Sequence, residues 1–198
     1  MMNNFLITQG SCGTYALKYC MGEYFNYGYK IPWNTHSNNP NTPPKDSRVV
    51  YLFANPYDTI LSYFRRDKVE FNCNGGFLFP HTTNIGGDVD YFKNPENRII
   101  ENFLKDEYDP FFLREHYDKW ATYNERNYDL VMMRYEELSE NGVSSFIDYW
   151  DLPKNLEFKF RKRSSDWQNE PQEIQDRLKQ KYGEYFDAYH SLPLVSIG

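Results

Sequence analysis

The sequence has few cysteines, few basic residues and no long apolar run. Only three cysteines occur among 198 residues, and Cys12, Cys20 and Cys73 form no paired spacing. An odd number of cysteines without a framework is typical of a reducing compartment. Lys and Arg total 22 against 28 Asp and Glu, so the net charge is −6, which argues against broad binding to nucleic acid or to anionic membranes. We therefore expect a cytoplasmic protein without a nucleic-acid or membrane partner.

Several other signals are absent as well. Met1–Asn4 carries no basic region, and Phe5–Ile7 is too short for a signal peptide. No apolar run approaches the roughly 18 residues of a membrane span. No His, Cys or Asp spacing resembles a metal-ligand set, so no metal is expected. The chain length fits one domain over residues 1–198, and we predict one.

Aromatic residues are abundant, at 19 % of the chain, so large rings are expected to fill the core. Three short apolar runs predict strands buried on both faces, as in a parallel sheet. Helical patterns lie between and after them, which predicts an α/β fold, a three-layer sandwich around a central parallel sheet. The predicted strands are Phe5–Thr8, Arg48–Phe53 and Tyr128–Met133, and the helical stripes cover 16–24, 60–64, 99–104, 112–123, 143–150 and 171–189.

Two segments are predicted to be long loops. Pro32–Lys45 is rich in Asn and Pro, and Phe71–Asp90 contains the pairs Gly75-Gly76 and Gly86-Gly87. Loops of this length inside a compact domain are usually functional or disordered. Ligands of open α/β sheets bind where loops leave the carboxyl ends of the strands, so both segments are candidate lids.

The first motif is the turn Thr8-Gln9-Gly10-Ser11-Cys12-Gly13-Thr14, which follows a strand and precedes an amphipathic helix. Backbone N–H groups and the helix dipole converge in such a turn, which suits a phosphate. An ordinary βα turn is the alternative. The Gly-Lys-Ser/Thr of a nucleoside-triphosphate P-loop is absent. A reactive Cys12 in a thiol phosphatase is a further alternative, although the Arg expected six residues later is Lys18.

The second motif is the segment Arg48–Asp58, a strand that runs into a helix start. Asn55 is a candidate N-cap, with Pro56 at the first helical position and Asp58 two residues later. Ser62 and the pair Arg65-Arg66 follow on the same helix. Taken alone, this pattern indicates a well-capped helix with a solvated basic pair.

Together these segments resemble the sulfotransferase family that uses 3′-phosphoadenosine 5′-phosphosulfate, whose fold is P-loop-like. The likeness extends over nearly the whole chain. The matching segments are Ser11–Leu17 for the 5′-phosphosulfate loop, Tyr51–Pro56 with Ser62 for the 3′-phosphate segment, Phe112–Trp120 and Leu130–Leu138 for a helix and a strand ending in Tyr-Glu-Asp-Leu, and Phe160–Trp167 for the basic segment that ends in Gly-Asp-Trp.

The resemblance implies a role for each matching residue. Thr35-His36 matches the Thr-His of the cytosolic members, which makes His36 the base that deprotonates the acceptor, with His81 in reserve. Tyr135 is expected near the adenine. The acceptor is expected to be a small molecule or a carbohydrate, and the product 3′-phosphoadenosine 5′-phosphate. The resemblance also places Gly13 and Thr14 at the 5′-phosphate and Ser62, Arg161, Lys162 and Arg163 at the 3′-phosphate. The other residues expected to bind the nucleotide are Gly10, Ser11, Cys12 and Tyr15 of the same loop, with Ser11 at the leaving phosphate, and Arg65, which could reach in to replace a missing donor.

Two departures from the family pattern keep a second hypothesis open. The loop Lys of the family is Ser11 here, and the Arg at the end of its second strand is Ala54. Removing one such donor typically lowers a rate by ~10²–10³-fold. An active sulfotransferase and a catalytically impaired nucleotide-binding homologue are therefore both predicted from this sequence.

Overall fold

We describe the protein from a computed structural model, which covers residues 4–10, 36–74, 76–144, 147–148, 150–156, 165–193 and 195–197. The predicted loop residues Ser11–Tyr15, the helical stripe over 16–24 and the basic residues Arg161–Arg163 lie outside the described residues.

The described strands form one four-stranded sheet. β1 (Asn4–Thr8), β2 (Arg48–Phe53) and β3 (Asp129–Arg134) are parallel and lie in the order β1-β2-β3. β4 (Val195–Ile197) pairs antiparallel to β3. The three predicted strands are confirmed within one residue, and the α/β class with them, whereas β4 was not predicted.

The burial of β2 explains why its sequence is an uninterrupted apolar run. β2 lies between β1 and β3, and Val49 to Phe53 are all at most 1 % exposed. A parallel strand that is covered on both faces has no polar face to alternate with.

Six α-helices are defined in the part of the chain that the structure describes. Three short 3₁₀ helices, Val89–Lys93, Pro95–Arg98 and Trp167–Asn169, supplement them. The α-helices are α1 (Pro56–Asn74), α2 (Leu78–Ile85), α3 (Ile100–Phe103), α4 (Leu113–Thr122), α5 (Tyr135–Asn141) and α6 (Gln172–Ser191).

Two sequence predictions about local structure are wrong. The predicted loop Phe71–Asp90 consists largely of the end of α1 and the whole of α2. Pro80 is tolerated in α2 because the first-turn N–H groups of a helix need no intrahelical partner. The predicted helix over 143–150 is absent among its described residues, where Val143, Ile147 and Trp150 lie in turns.

The protein divides into two compact units. Unit 1 comprises Met1–Ala54, Tyr117–Lys162 and Pro193–Gly198, and unit 2 comprises Asn55–His116 and Arg163–Leu192. In unit 1 the rings of Tyr117 and Trp120 pack on Tyr51 of β2, with centroid distances of 6.2 and 5.8 Å. Aromatic rings thus cover the central strand, as the composition predicts.

Unit 2 has its own aromatic core. Phe64 of α1 lies 4.8 Å from Phe103 and 6.4 Å from Phe111 between ring centroids, and Phe92 lies 5.1 Å from Phe111. All four rings are buried, in tilted or edge-on arrangements that aromatic pairs favour.

Asp109 organises the start of α4 in unit 2. Its carboxylate accepts hydrogen bonds from the backbone N–H groups of Phe111 and Leu113, both at 3.1 Å, and from the hydroxyl of Tyr182 at 2.7 Å. Burial raises the pKa of the Asp109 carboxyl, and these hydrogen bonds offset part of that rise. The folded protein therefore binds a proton at Asp109 more tightly than the unfolded chain does.

We expect Asp109→Asn to remove a pH-dependent part of the stability. Because the folded-state pKa is raised, the stabilisation from Asp109 is fully present below about pH 3.9 and is lost as pH rises through the folded-state pKa. The excess stability of the wild type over Asp109→Asn should therefore decrease from pH 4 toward neutrality in urea denaturation. The exposed Glu101→Gln is the matched control, and a pH-independent difference for Asp109→Asn would contradict the assignment.

Candidate functional site

The carboxyl ends of the three parallel strands of unit 1 meet at one edge of the sheet. The register pairs Thr8 with Leu52 and Phe53 with Arg134, so the strands end side by side. Loops leaving this edge form the ligand site of open α/β sheets. Thr8 and Gln9, the first two residues of the predicted phosphate-binding turn, are buried here.

The turn after β1 is organised by a threonine hydroxyl. The N–H of Gly10 donates to Thr8 Oγ1 at 3.1 Å, which closes a three-residue turn from Thr8 to Gly10. The N–H of Gln9 donates to the Leu52 carbonyl at 3.3 Å. Gly10 has φ of 89°, a conformation that residues with a Cβ rarely adopt. The start of the predicted phosphate loop is therefore held in a defined conformation.

His36 lies against this turn. Its Nδ1 is 2.9 Å from the carbonyl oxygen of Thr8 and 2.9 Å from Thr8 Oγ1. A carbonyl oxygen only accepts hydrogen bonds, so His36 Nδ1 is placed to donate to it, and in a neutral ring the lone pair would then be on Nε2. The structure thus brings together Thr8, Gly10 and His36, with His36 Nδ1 placed as a donor to the Thr8 carbonyl.

The ends of β2 and β3 carry the other predicted positions of unit 1. Ala54 is buried directly after β2, so this position supplies no charged group. Tyr135 is buried as the first residue of α5. Glu137, in the same helical turn, is also buried, and its Oε2 accepts a hydrogen bond from the Asn141 side chain at 3.1 Å. No pattern in the sequence indicated that this carboxylate is buried.

The predicted helix start in unit 2 is confirmed. Asn55 Oδ1 accepts from the N–H groups of Tyr57 at 3.0 Å and Asp58 at 3.5 Å, as expected of an N-cap. Farther along α1, Ser62 is buried and Arg65 is exposed.

A contact that the sequence did not reveal joins α1 to the segment that ends in Trp167. The backbone N–H of Trp167 donates to Asp58 Oδ1 at 2.8 Å. The Trp167 ring meets Tyr57 edge-on at 4.9 Å, and Tyr57 stacks on Phe186 at 4.2 Å. Burial, with a smaller effect of Asp187, raises the pKa of Tyr57 to about 12. Asp58 thus holds the backbone at Trp167, which follows the predicted basic residues Arg161–Arg163 in the sequence.

His81 is buried on α2 instead of lying in a loop, which corrects its predicted location. Its ring stacks on Phe77 at 4.7 Å and contacts the Tyr63 ring at 4.3 Å. A ring enclosed in this way is a packing element of unit 2.

Neither a metal-binding cluster nor a membrane span is found among the described residues, and several predicted phosphate ligands lie outside them. Within the described ranges, no group of three or more His, Cys, Asp or Glu side chains is arranged to hold a metal ion. None of the described helices has the length and apolar character needed to cross a membrane. The predicted residues outside the described ranges are Ser11, Cys12, Gly13, Thr14, Tyr15, Arg161, Lys162 and Arg163.

In comparisons with known proteins, no family model matches this sequence, and neither a curated protein nor a solved structure matches the chain.

Proposed function

We propose that the protein is a sulfotransferase that moves a sulfuryl group from 3′-phosphoadenosine 5′-phosphosulfate to a hydroxyl or amine of a small-molecule or carbohydrate acceptor. The framework in this proposal is a three-layer, P-loop-like α/β sandwich. The parallel order of β1, β2 and β3 and the turn after β1 support it.

The observation that carries the proposal is the hydrogen bond from His36 Nδ1–H to the Thr8 carbonyl. A general base must be held in one orientation with an unprotonated nitrogen available for the acceptor proton. This bond holds the ring and assigns the lone pair to Nε2. A histidine that merely lay in a solvated loop would not require such an arrangement at the carboxyl edge of a sheet.

The chemistry follows from that tautomer. Nε2 of His36 takes the proton of the acceptor hydroxyl while the acceptor oxygen attacks sulfur in line. The bond between sulfur and the bridging oxygen breaks, and its electron pair leaves with 3′-phosphoadenosine 5′-phosphate. Catalysis of such a transfer rests on positioning and on stabilising the charge of the leaving phosphate, by analogy with phosphoryl transfer.

The ligands of the nucleotide are assigned by the family resemblance. Backbone N–H groups of residues 11–14, with Ser11 and Thr14, would hold the 5′-phosphate. Ser62 and Arg161–Arg163 would hold the 3′-phosphate, Arg65 could reach in to replace a missing donor, and Tyr135 would lie near the adenine. The Asn55 cap and the Asp58–Trp167 hydrogen bond support the second group, because each fixes a backbone segment that carries its members or adjoins them.

A second candidate function is a nucleotide-binding homologue with impaired turnover. The buried Ala54 favours it, because an alanine at the end of β2 supplies no donor to the 3′-phosphate. A charged hydrogen bond of this kind is worth about 1.5–3 kcal/mol. Binding would then persist without rapid sulfate transfer.

Thermal unfolding with added 3′-phosphoadenosine 5′-phosphate tests the proposal. Ligand at 100 times its dissociation constant should stabilise the fold by about 2.7 kcal/mol, and adenosine 5′-phosphate should stabilise it less. Transfer of labelled sulfate to a panel of phenols, sugars and amines then separates the two candidates. Binding without transfer supports the homologue, and the absence of any shift at millimolar ligand contradicts both.

A further inference from the structure

Hydrogen bonds within the segment directly after His36 hold that segment together. The Thr42 hydroxyl donates to the Asn39 carbonyl at 2.7 Å, and Ser37 Oγ lies 3.0 Å from Thr42 Oγ1. The N–H of Asn39 donates to Ser37 Oγ at 3.1 Å. Residues 37–42, within the predicted loop Pro32–Lys45, therefore form a small hydrogen-bonded turn.

Two buried rings fix this turn to the core of unit 1. The indole Nε1–H of Trp120 donates to the carbonyl of Ser37 at 2.9 Å, and the Tyr128 hydroxyl donates to the carbonyl of Pro40 at 2.8 Å. Trp120 is fully buried, and its ring packs on Tyr51 of the central strand. Both donors remain protonated at neutral pH, since burial raises the pKa of Tyr128 to about 12 and an indole N–H does not titrate.

The Trp120 hydrogen bond acts on the residue next to His36. Fixing the Ser37 carbonyl restricts the backbone of Ser37 and hence the direction in which the adjoining His36 leaves the chain. The His36 ring can donate from Nδ1 to Thr8 only if its Cα is held at the correct distance from β1. Thr8 of β1 thus holds the ring of His36, and Trp120 of α4 holds the backbone next to it.

We propose that Trp120 is a positioning residue, which selects the orientation and the Nδ1–H tautomer of His36 through the Ser37 carbonyl. As a statement about catalysis this rests on the proposed function, whereas the tautomer itself is measurable without any turnover. Misplacing a reacting group by about 1 Å typically lowers a rate by ~10²-fold, so loss of the Trp120 hydrogen bond should lower kcat more than it raises KM for the nucleotide.

Nitrogen-15 NMR of the full chain tests this directly, with the His36 signals assigned by comparison with His36→Asn. The wild type should show one neutral tautomer, protonated at Nδ1. Trp120→Phe keeps a ring but removes the donor, and it should show a measurable population of the Nε2–H tautomer. The matched control is Tyr123→Phe, which removes the hydrogen bond that the Tyr123 hydroxyl donates to the exposed side chain of Asn41 in the same turn. This variant should leave the His36 spectrum unchanged.

A Trp120→Phe protein that folds and keeps only the Nδ1–H tautomer would overturn the proposal. If Trp120→Phe does not fold, benzothienylalanine at position 120 replaces the N–H by sulfur at nearly constant volume and answers the same question. A shifted tautomer together with absent transferase activity in the wild type would retain the positioning role and refute the sulfotransferase. A shifted tautomer with lowered kcat would support both.

Discussion

Replacing His36 by asparagine is expected to lower the rate of sulfuryl transfer by about 10²–10⁴-fold, the usual contribution of a positioned general base. The Asn amide can occupy the place of Nδ1–H and still donate to the Thr8 carbonyl, but it has no counterpart of the basic Nε2. Affinity for 3′-phosphoadenosine 5′-phosphate should be unchanged, because binding this product involves no proton transfer from the acceptor to His36. Initial rates with labelled donor and a parallel binding titration measure the two effects.

His190→Asn is the control for this experiment. His190 is exposed near the end of α6, so the same chemical change at that position should leave turnover at the wild-type level. Wild-type turnover in His36→Asn would remove His36 from the mechanism. A weakened nucleotide affinity with normal turnover at saturation would instead place His36 in the binding site.

Replacing Arg98 by methionine is expected to destabilise the fold by about 3–5 kcal/mol, the cost of leaving a buried charge without its partner. Arg98 Nε and Nη2 both donate to the carboxylate of Asp67, at 2.9 to 3.1 Å, and Asp67 is 4 % exposed. Asp67 also accepts from the N–H of Leu78 at 2.9 Å, so it connects α1, α2 and the 3₁₀ helix that ends at Arg98. Urea denaturation measures the change.

Arg177→Met is the matched control for Arg98→Met. Arg177 pairs with Glu173 one turn earlier on α6, where the glutamate is exposed, and such pairs contribute only about 0.3–0.5 kcal/mol. Equal losses for the two variants would show that the Asp67–Arg98 pair is solvated. Gly76→Ala is an independent test of the same ion pair, since an added Cβ at position 76 would collide with Arg98 Nη2 and Asp67 Oδ1.

The strands were predictable because their burial leaves a direct trace in the sequence. β2 reads as a continuous apolar run since both of its faces are covered, and α6 shows a helical spacing of buried Ile174, Leu178 and Tyr182. β4 left no such trace, because three residues are too few to establish a pattern.

The failure over residues 71–90 has a physical cause in how turn residues are used. The Gly pairs indicated a loop, yet Gly86, with φ of 75°, is the left-handed C-cap of α2. The apolar positions Leu78 and Ile85, with His81 and Thr82, make the buried face of α2. Pro and Gly at the two ends of a helix delimit it as readily as they form a loop.

Of the candidate site, the sequence indicated which residues are present but not how they are oriented. His36 was singled out by resemblance, whereas its tautomer depends on a contact with Thr8 across 28 residues of chain. The Asp58–Trp167 hydrogen bond spans 109 residues, and the Trp120–Ser37 bond spans 83. Contacts between such distant positions leave no local pattern in one sequence.

The parallel order of the sheet also dictates how the chain must assemble during synthesis. β1 can pair with β2 only after synthesis has passed residue 48, and β2 can pair with β3 only after it has passed residue 129. β3 can pair with its second neighbour, β4, only after synthesis has passed residue 195. Such non-local pairing is slow, and until β3 arrives the apolar β2 presents an open edge to other nascent chains. Shielding by a ribosome-associated chaperone should therefore raise the yield of folded protein most while residues 54–128 are being translated.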